Sequence, residues 1–313
     1  MRQPDRMISR HFVIPKGYRR ISLFEFFASG TLLGLGLLLG GCASRGEHVI
    51  LLGAAHQGRS EAILKPDPNY ELLSLKVEGG RKIAAEFGTA LDANGRPITS
   101  ASQCPTMLFS YGNGTYWARC QGLFERLRRL GFNVMIPEYP GYGMSEGRAS
   151  ENGCYAAADA AYAYVMSRSD IDRARIIVAS HSLGGGVSID LASRRHVAAL
   201  ITLSTFTSTR NVLQADLPGP LRWLAPAFTA HCKFESLSKV PNVSYPILII
   251  HGTADTLVPP WMAQRLANAA TTKVTCLSME GADHISILDP SAEEPWEAIT
   301  KWIRDHFPTE GED

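Results

Sequence analysis

The run Arg175-Ile176-Ile177-Val178-Ala179-Ser180 passes directly into Ser180-His181-Ser182-Leu183-Gly184-Gly185, and helical spacing continues over 183–195. A short β-branched run that enters a helix through small residues constrains the fold more than any other segment of the chain. Strand and helix backbones must approach closely at such a turn, so the positions two before and two after Ser182 need small side chains. The turn is strained and lifts the Ser182 hydroxyl above the sheet edge. Gly184 meets the demand fully, and Ser180 stands where the pattern usually has glycine. Taken alone, the segment equally suits a serine-rich loop between a strand and a helix.

The surrounding chain repeats the alternation. Strands are expected at 72–78, 81–88, 106–110, 132–136, 175–180, 198–203, 246–250 and 273–279, and helices at 116–130, 152–168, 183–195, 260–270 and 293–307. This order implies an α/β fold with a mostly parallel eight-stranded sheet flanked by helices. The first two strands share Gly79-Gly80 and read as an antiparallel hairpin. The helix at 152–168 carries Tyr155, Ala158, Tyr162, Val165 and Met166 on the face expected to dock. No linker-like break separates the strands, so residues 71–308 read as one domain. The 31 basic and 30 acidic residues leave no electrostatic footprint for nucleic acid. Six cysteines in 313 residues are too few for a disulfide scaffold, and no Cys/His cluster has metal-ligand spacing, so neither metal nor cofactor is expected. Apart from Cys42 the cysteines are Cys104, Cys120, Cys154, Cys232 and Cys276. That odd number leaves at least one free or paired between chains, and Cys276, in an expected buried strand, is the candidate free thiol.

Two titratable residues follow later strands. The strand at 246–250 leads into His251-Gly252-Thr253-Ala254-Asp255-Thr256-Leu257-Val258-Pro259, and that at 273–279 into Gly281-Ala282-Asp283-His284. Open α/β sheets build their sites just past the carboxyl ends of strands. Asp255 alone suits a turn or helix cap, and His284 alone a hydrogen-bonded loop residue. Together with Ser182 they stand in the order Ser…Asp…His that acyl-transfer chemistry uses on such sheets. In that arrangement Ser182 is the nucleophile, His284 the general base and Asp255 its orienter, while the backbone N–H of Leu183 faces the developing oxyanion. His251 ends a strand ahead of Asp255 and is expected to be structural.

On these residues the chain from about 70 to 307 resembles the α/β-hydrolase superfamily serine hydrolases. It is most similar to the short-cap group related to eukaryotic acyl-protein depalmitoylases and bacterial esterase-like lipoproteins. Tyr111-Gly112-Asn113-Gly114-Thr115 matches the family's turn after its third strand, with Tyr111 in place of His. The run from Glu138 to Gly147, EYPGYGMSEG, matches a second family segment, with Glu138 in place of Asp. The resemblance implies a second oxyanion donor at the Asn113 N–H, a turn beside the site fixed by Tyr142 and Ser145, and a small-molecule or acylated substrate. A short cap is expected at 204–244. There Trp223, Leu224 and Phe228, with Tyr116, Trp117 and Trp261, suit either an apolar acyl cleft or cover for the sheet edge. Esters and thioesters are the first reading of the reaction. A serine peptidase of the same fold and a catalytically silent binding lipoprotein are the alternatives.

The N-terminus carries a different signal. Arg2, Arg6, Arg10, Lys16, Arg19 and Arg20 precede the apolar run 21–41, the layout of an export signal. The run ends Leu39-Gly40-Gly41-Cys42, which resembles the lipobox of bacterial lipoproteins, where the cysteine is lipidated and becomes the new N-terminus. An uncleaved anchor or a buried helix is the alternative, although five glycines weaken the run as a helix. The expectation is a signal peptide at 1–41, lipidation at Cys42, a tether over 42–70, and attachment to the bacterial cell envelope. Ala43 after the cysteine favours the outer membrane, facing the periplasm. Arg19-Arg20 hints at twin-arginine export, but Ser22 stands where that motif usually has Phe. The signal carries an excess of positive charge, so a chain processed at Cys42 is mildly acidic.

Overall fold

The computed structural model describes residues 69–307. The export signal, Cys42, nearly all of the tether and residue 308 lie outside the described residues. Eight strands form one sheet: β1 (Glu71–Lys76), β2 (Lys82–Gly88), β3 (Thr106–Ser110), β4 (Asn133–Pro137), β5 (Ile176–His181), β6 (Ala199–Leu203), β7 (Ile247–Gly252) and β8 (Val274–Met279). Their order across the sheet is β1-β2-β4-β3-β5-β6-β7-β8. β2 runs antiparallel to β1 and β4, and every other pair is parallel. All eight expected strands are present, with ends displaced by no more than a few residues.

Strands β3 to β7 are buried at every residue, which is why they read as mostly apolar runs and not as alternating ones. The two edges differ. β8 pairs only with β7, and its Thr275, Leu277 and Met279 face inward while Cys276 and Ser278 are exposed. The expectation of a buried Cys276 is therefore corrected: its period-two neighbours place it on the outer face of an edge strand. Cys120, Cys154 and Cys232 are buried, and Cys104 is half-buried.

The helices are α1 (Gln121–Arg129), α2 (Glu151–Ser167), α3 (Leu183–Ala192), α4 (Thr209–Asp216), α5 (Trp261–Ala269) and α6 (Glu294–His306). α2 begins where the Ser150 hydroxyl accepts the Gly153 N–H. Its buried stripe is Cys154, Ala157, Ala158, Ala161, Tyr162 and Val165, with Tyr155 and Met166 only half-buried. Ala158, Tyr162 and Val165 dock as expected, and Ala157 and Ala161 join them because small residues let α2 sit close to the sheet. α3 is buried at all ten residues and packs on β3, β5 and β6. A helix buried on all faces belongs in the middle of a layered domain, and its one charge, Asp190, is paired with Arg194 and Lys239. Between β6 and β7 the chain makes α4, a 3-10 segment Gly219–Leu224 and single turns at Ala225–Phe228 and Ser236–Lys239. Leu213, Leu217 and Ala225 give this region a small apolar cluster of its own.

Candidate active site

The turn after β5 has the geometry that its small residues foretell. Ser182 sits at φ 53°, ψ −118°, a left-handed conformation that costs a non-glycine residue about 1–3 kcal/mol. Ladder bonds on both sides hold it there, among them the Ser182 N–H donating to the Leu203 carbonyl at 3.0 Å. A Cβ added to Gly184 would lie 1.9 Å from the Ser110 carbonyl oxygen, so only glycine lets α3 cross β3 at this distance. Ser180, the departure from the usual glycine, is accommodated because its hydroxyl donates to the Ile201 carbonyl of β6 at 3.3 Å.

Three strand ends converge on this turn. The Ser182 Oγ lies 2.9 Å from His284 Nε2, and His284 Nδ1 lies 2.8 Å from Asp255 Oδ2. The other carboxylate oxygen of Asp255 accepts the N–H groups of Leu257 and Val258 at 3.0 and 2.8 Å. Burial opposes ionisation of Asp255. Hydrogen bonds from His251 and His284, the His284 charge and the Val258 N–H outweigh that and hold its carboxyl well below the usual carboxylate range. Such a chain of contacts lets an imidazole take a proton from a serine hydroxyl while a fixed carboxylate stabilises the resulting cation.

Two further histidines brace the arrangement. His251 Nε2 donates to the Val258 carbonyl at 2.8 Å and lies 3.3 Å from Asp255 Oδ2, so it supports the loop that carries the acid. His181 Nε2 donates to the main-chain carbonyl of His284 at 2.8 Å, and the two rings lie 4.8 Å apart. Burial, then the neighbouring His284, pushes His181 down to about 3, so it stays neutral and keeps that donor. Nothing in the spacing of the sequence marks His181 for this task. It fills the variable position of the turn.

On the opposite side of Ser182, Leu183 opens α3, so its N–H has no acceptor within the helix and points with the helix dipole. The loop after β3 passes against the same serine, because a Cβ on Gly112 would lie 3.1 Å from Ser182 Cβ. Asn113 follows directly, and its Oδ1 accepts the Tyr142 hydroxyl at 2.9 Å. Tyr111, where the family has His, is buried. Its hydroxyl accepts the Tyr139 N–H, and the Tyr139 hydroxyl donates to the Tyr111 carbonyl. The loops after β3 and β4 are thus tied to each other behind the serine.

A relative described as an uncharacterized protein of Mycobacterium tuberculosis is 33% identical over 210 residues, covering 66% of this chain and 73% of that protein. The alpha/beta hydrolase domain-containing protein 17B of Xenopus laevis is 33% identical over 246 residues, covering 71% of this chain and 83% of its own. This chain belongs to the α/β-hydrolase superfamily. The hydrolase also matches the family model described as Serine aminopeptidase, S33, over residues 102–235. Among solved structures, the Pyrococcus furiosus esterase Pf2001 superposes with a TM-score of 0.59 at 18% identity, covering 80% of this chain and 99% of its own.

The hydrolase also uses a carboxylate to which sequence spacing gave no role. Glu138 directly follows the buried strand β4, and its two oxygens accept the Trp117 N–H at 3.3 Å and the Met144 N–H at 2.6 Å. One side chain therefore clamps the segments that flank Asn113. Ser145 adds a bond to the Glu138 carbonyl and accepts the Ala84 N–H, which gives it the turn-fixing place expected of it. Burial pushes the Glu138 carboxyl up to about 7 against the pull of the Met144, Trp117 and Ser145 N–H groups. Between pH about 4.5 and 7 the folded chain then holds a proton that the unfolded chain has released, so this contribution to stability falls as pH rises. Glu138→Gln lacks the titration. The urea midpoint of the natural protein is expected to decline relative to the variant between pH 5 and pH 8, and a difference independent of pH would refute the assignment.

The aromatic residues expected near a cleft divide. Trp117 is buried in the main core and takes no part in the surface. Trp223, Phe228 and Trp261 are exposed, as are Met144, Leu257 and Ile285 on the loops after β4, β7 and β8. These loops leave the same sheet edge as Ser182, so the site opens among apolar side chains. Among the described residues, no group of three or more His, Cys, Asp or Glu side chains is placed to hold a metal ion.

Proposed function

We propose that the chain is a serine hydrolase that cleaves carboxylic ester or thioester bonds through an acyl-enzyme on Ser182. The observation that carries this reading is the unbroken contact from Ser182 Oγ through His284 to Asp255. Ser182 attacks the acyl carbonyl as His284 takes its proton. The oxyanion lies toward the Leu183 and Asn113 N–H groups, and His284 returns the proton to the leaving alcohol or thiol. Water then repeats the sequence on the acyl-enzyme.

A peptidase is the second reading, favoured by the description of the matching family model. An aminopeptidase must hold an N-terminal ammonium, yet the charged side chains of the cavity beside the acid loop are Arg222 and Arg265, of the wrong sign. The apolar rim of Met144, Leu257 and Ile285 suits an acyl chain. A panel of nitrophenyl esters of rising chain length, acyl thioesters and aminoacyl amides separates the readings. Turnover of esters or thioesters at least about tenfold faster than amides is expected, and amide cleavage with near-zero ester turnover would overturn the proposal. The same reading has the protein exported and lipidated at Cys42, held in the bacterial envelope, on the outer membrane facing the periplasm. Cys42→Ser is expected to abolish lipid labelling in cells, and persistent labelling would refute it.

A further inference from the structure

A cavity of about 560 Å³ lies between the cap and the start of α5, lined by Asn211, Gln214, Arg222, Pro259, Trp261 and Arg265. Two guanidinium groups share it. Arg128, Arg168, Arg194 and Arg195 each pair with a carboxylate, whereas neither Arg222 nor Arg265 takes part in an ion pair among the described residues. Arg222 is steadied by its Nε donating to the Leu217 carbonyl at 3.2 Å, and Arg265 lies over the Trp261 ring, 5.6 Å from its centre. Both contacts fix the side chain while leaving most of its N–H donors unspent. The Asn211 amide, turned by its bond to Thr207 Oγ1, adds a neutral polar group to the same wall. Two exposed guanidiniums lining one cavity beside amides, with no carboxylate in its lining to neutralise them, make the chemistry that receives an oxyanion.

The walls also tie the cavity to the site. Pro259 is four residues beyond Asp255, a span of at most ~14 Å of extended chain. α4 continues from Thr205, whose hydroxyl donates to the Ser182 carbonyl at 3.2 Å. The cavity is thus walled by segments that continue from the acid loop and from the strand end beside Ser182. We propose that Arg222 and Arg265 recognise an anionic group, a carboxylate or a phosphate, carried by the substrate at a distance from its scissile carbonyl. The specificity implied is for acyl compounds with one charged end, and it rests on the hydrolase reading of Ser182.

The test compares two nitrophenyl esters of one chain length, one ending in a free carboxylate and the other in its methyl ester. A third ester ending in phosphate tells which anion is preferred. For the natural protein the charged ester is expected to have the higher kcat/KM. The Arg222→Gln, Arg265→Gln double variant is expected to lower that preference about 5- to 10-fold while leaving the methyl ester unchanged, the scale of two partly exposed charge pairs. Raised salt should erode the preference in the natural protein alone. A charged-to-neutral ratio identical in the two proteins would overturn the cavity and leave the hydrolase reading standing. No turnover of any ester or acyl thioester would overturn the hydrolase reading. A binding arm then decides the cavity separately: calorimetry of Ser182→Ala with octanedioate monomethyl ester should show binding that the two arginine substitutions abolish. Binding unaffected by them, or no binding at all, would overturn it.

Discussion

Ser182→Ala is expected to abolish labelling by a fluorophosphonate probe and to lower ester hydrolysis by about 10⁴- to 10⁶-fold, the range seen when a serine hydrolase loses its nucleophile. The substitution removes one oxygen, which contacts His284 Nε2 and projects from a turn fixed by other atoms. The turn itself persists, because its φ of 53° is imposed by the β5–β6 ladder and by the approach of Gly184 to Ser110, not by the hydroxyl. The thermal unfolding midpoint should therefore stay within a few degrees, which separates lost chemistry from lost structure. A small residual rate is expected, since the Leu183 N–H and the rest of the turn remain. Undiminished labelling of the variant, or no labelling of the natural protein, would remove Ser182 from the mechanism.

Asp255→Asn is expected to cost about 10⁴-fold in kcat with little change in the backbone, because an amide turns the imidazole into the wrong tautomer. The Asp255 oxygen that accepts the Leu257 and Val258 N–H groups is kept by Asn, so the loop keeps its shape. The other oxygen becomes an N–H₂ facing His284 Nδ1, which must then accept. The ring proton moves to Nε2, where it faces Ser182 and cannot receive another. A second readout is independent of activity. The depressed carboxyl of Asp255 contributes stability that is present above the ordinary carboxylate pKa of about 3.9 and is lost as pH falls through its folded value. Acidification should therefore erode the natural protein's advantage in stability over the variant. An activity loss below tenfold would show that Asp255 does not orient the base.

Most of the fold was legible because its signals are local. β3 to β7 are mostly apolar and buried at every position, Gly184 records a backbone crossing in one residue, and Asp255 and His284 follow strands that announce themselves. The site was legible for the same reason, since the carboxyl ends of parallel strands share one edge. What stayed hidden depends on long-range contact. Glu138 lies 21 residues from the Trp117 N–H it accepts, and His181 lies 103 residues from the carbonyl it braces. Neither spacing has a periodicity to read, although an acidic residue directly after an apolar strand was a visible anomaly. Cys276 was misplaced because an edge strand of mixed residues looks apolar until its neighbours are known. The arginine pair was unreadable in advance, as the cap that brings Arg222 toward Arg265 has no regular pattern.

The placement of β8 at the sheet edge has a consequence for how the protein comes into being. Ser182 and His284 are separated by 102 residues, and the base hangs from the last strand to join the sheet. At ordinary translation speeds of about 5–20 residues per second, roughly 5–20 s pass between synthesis of the nucleophile and synthesis of its partner. Throughout that interval the nascent chain owns a serine at its elbow with nothing to deprotonate it. Under the mechanism proposed for Ser182, docking of β8 beside β7 is thus an arming step, because it is the strand from which His284 hangs.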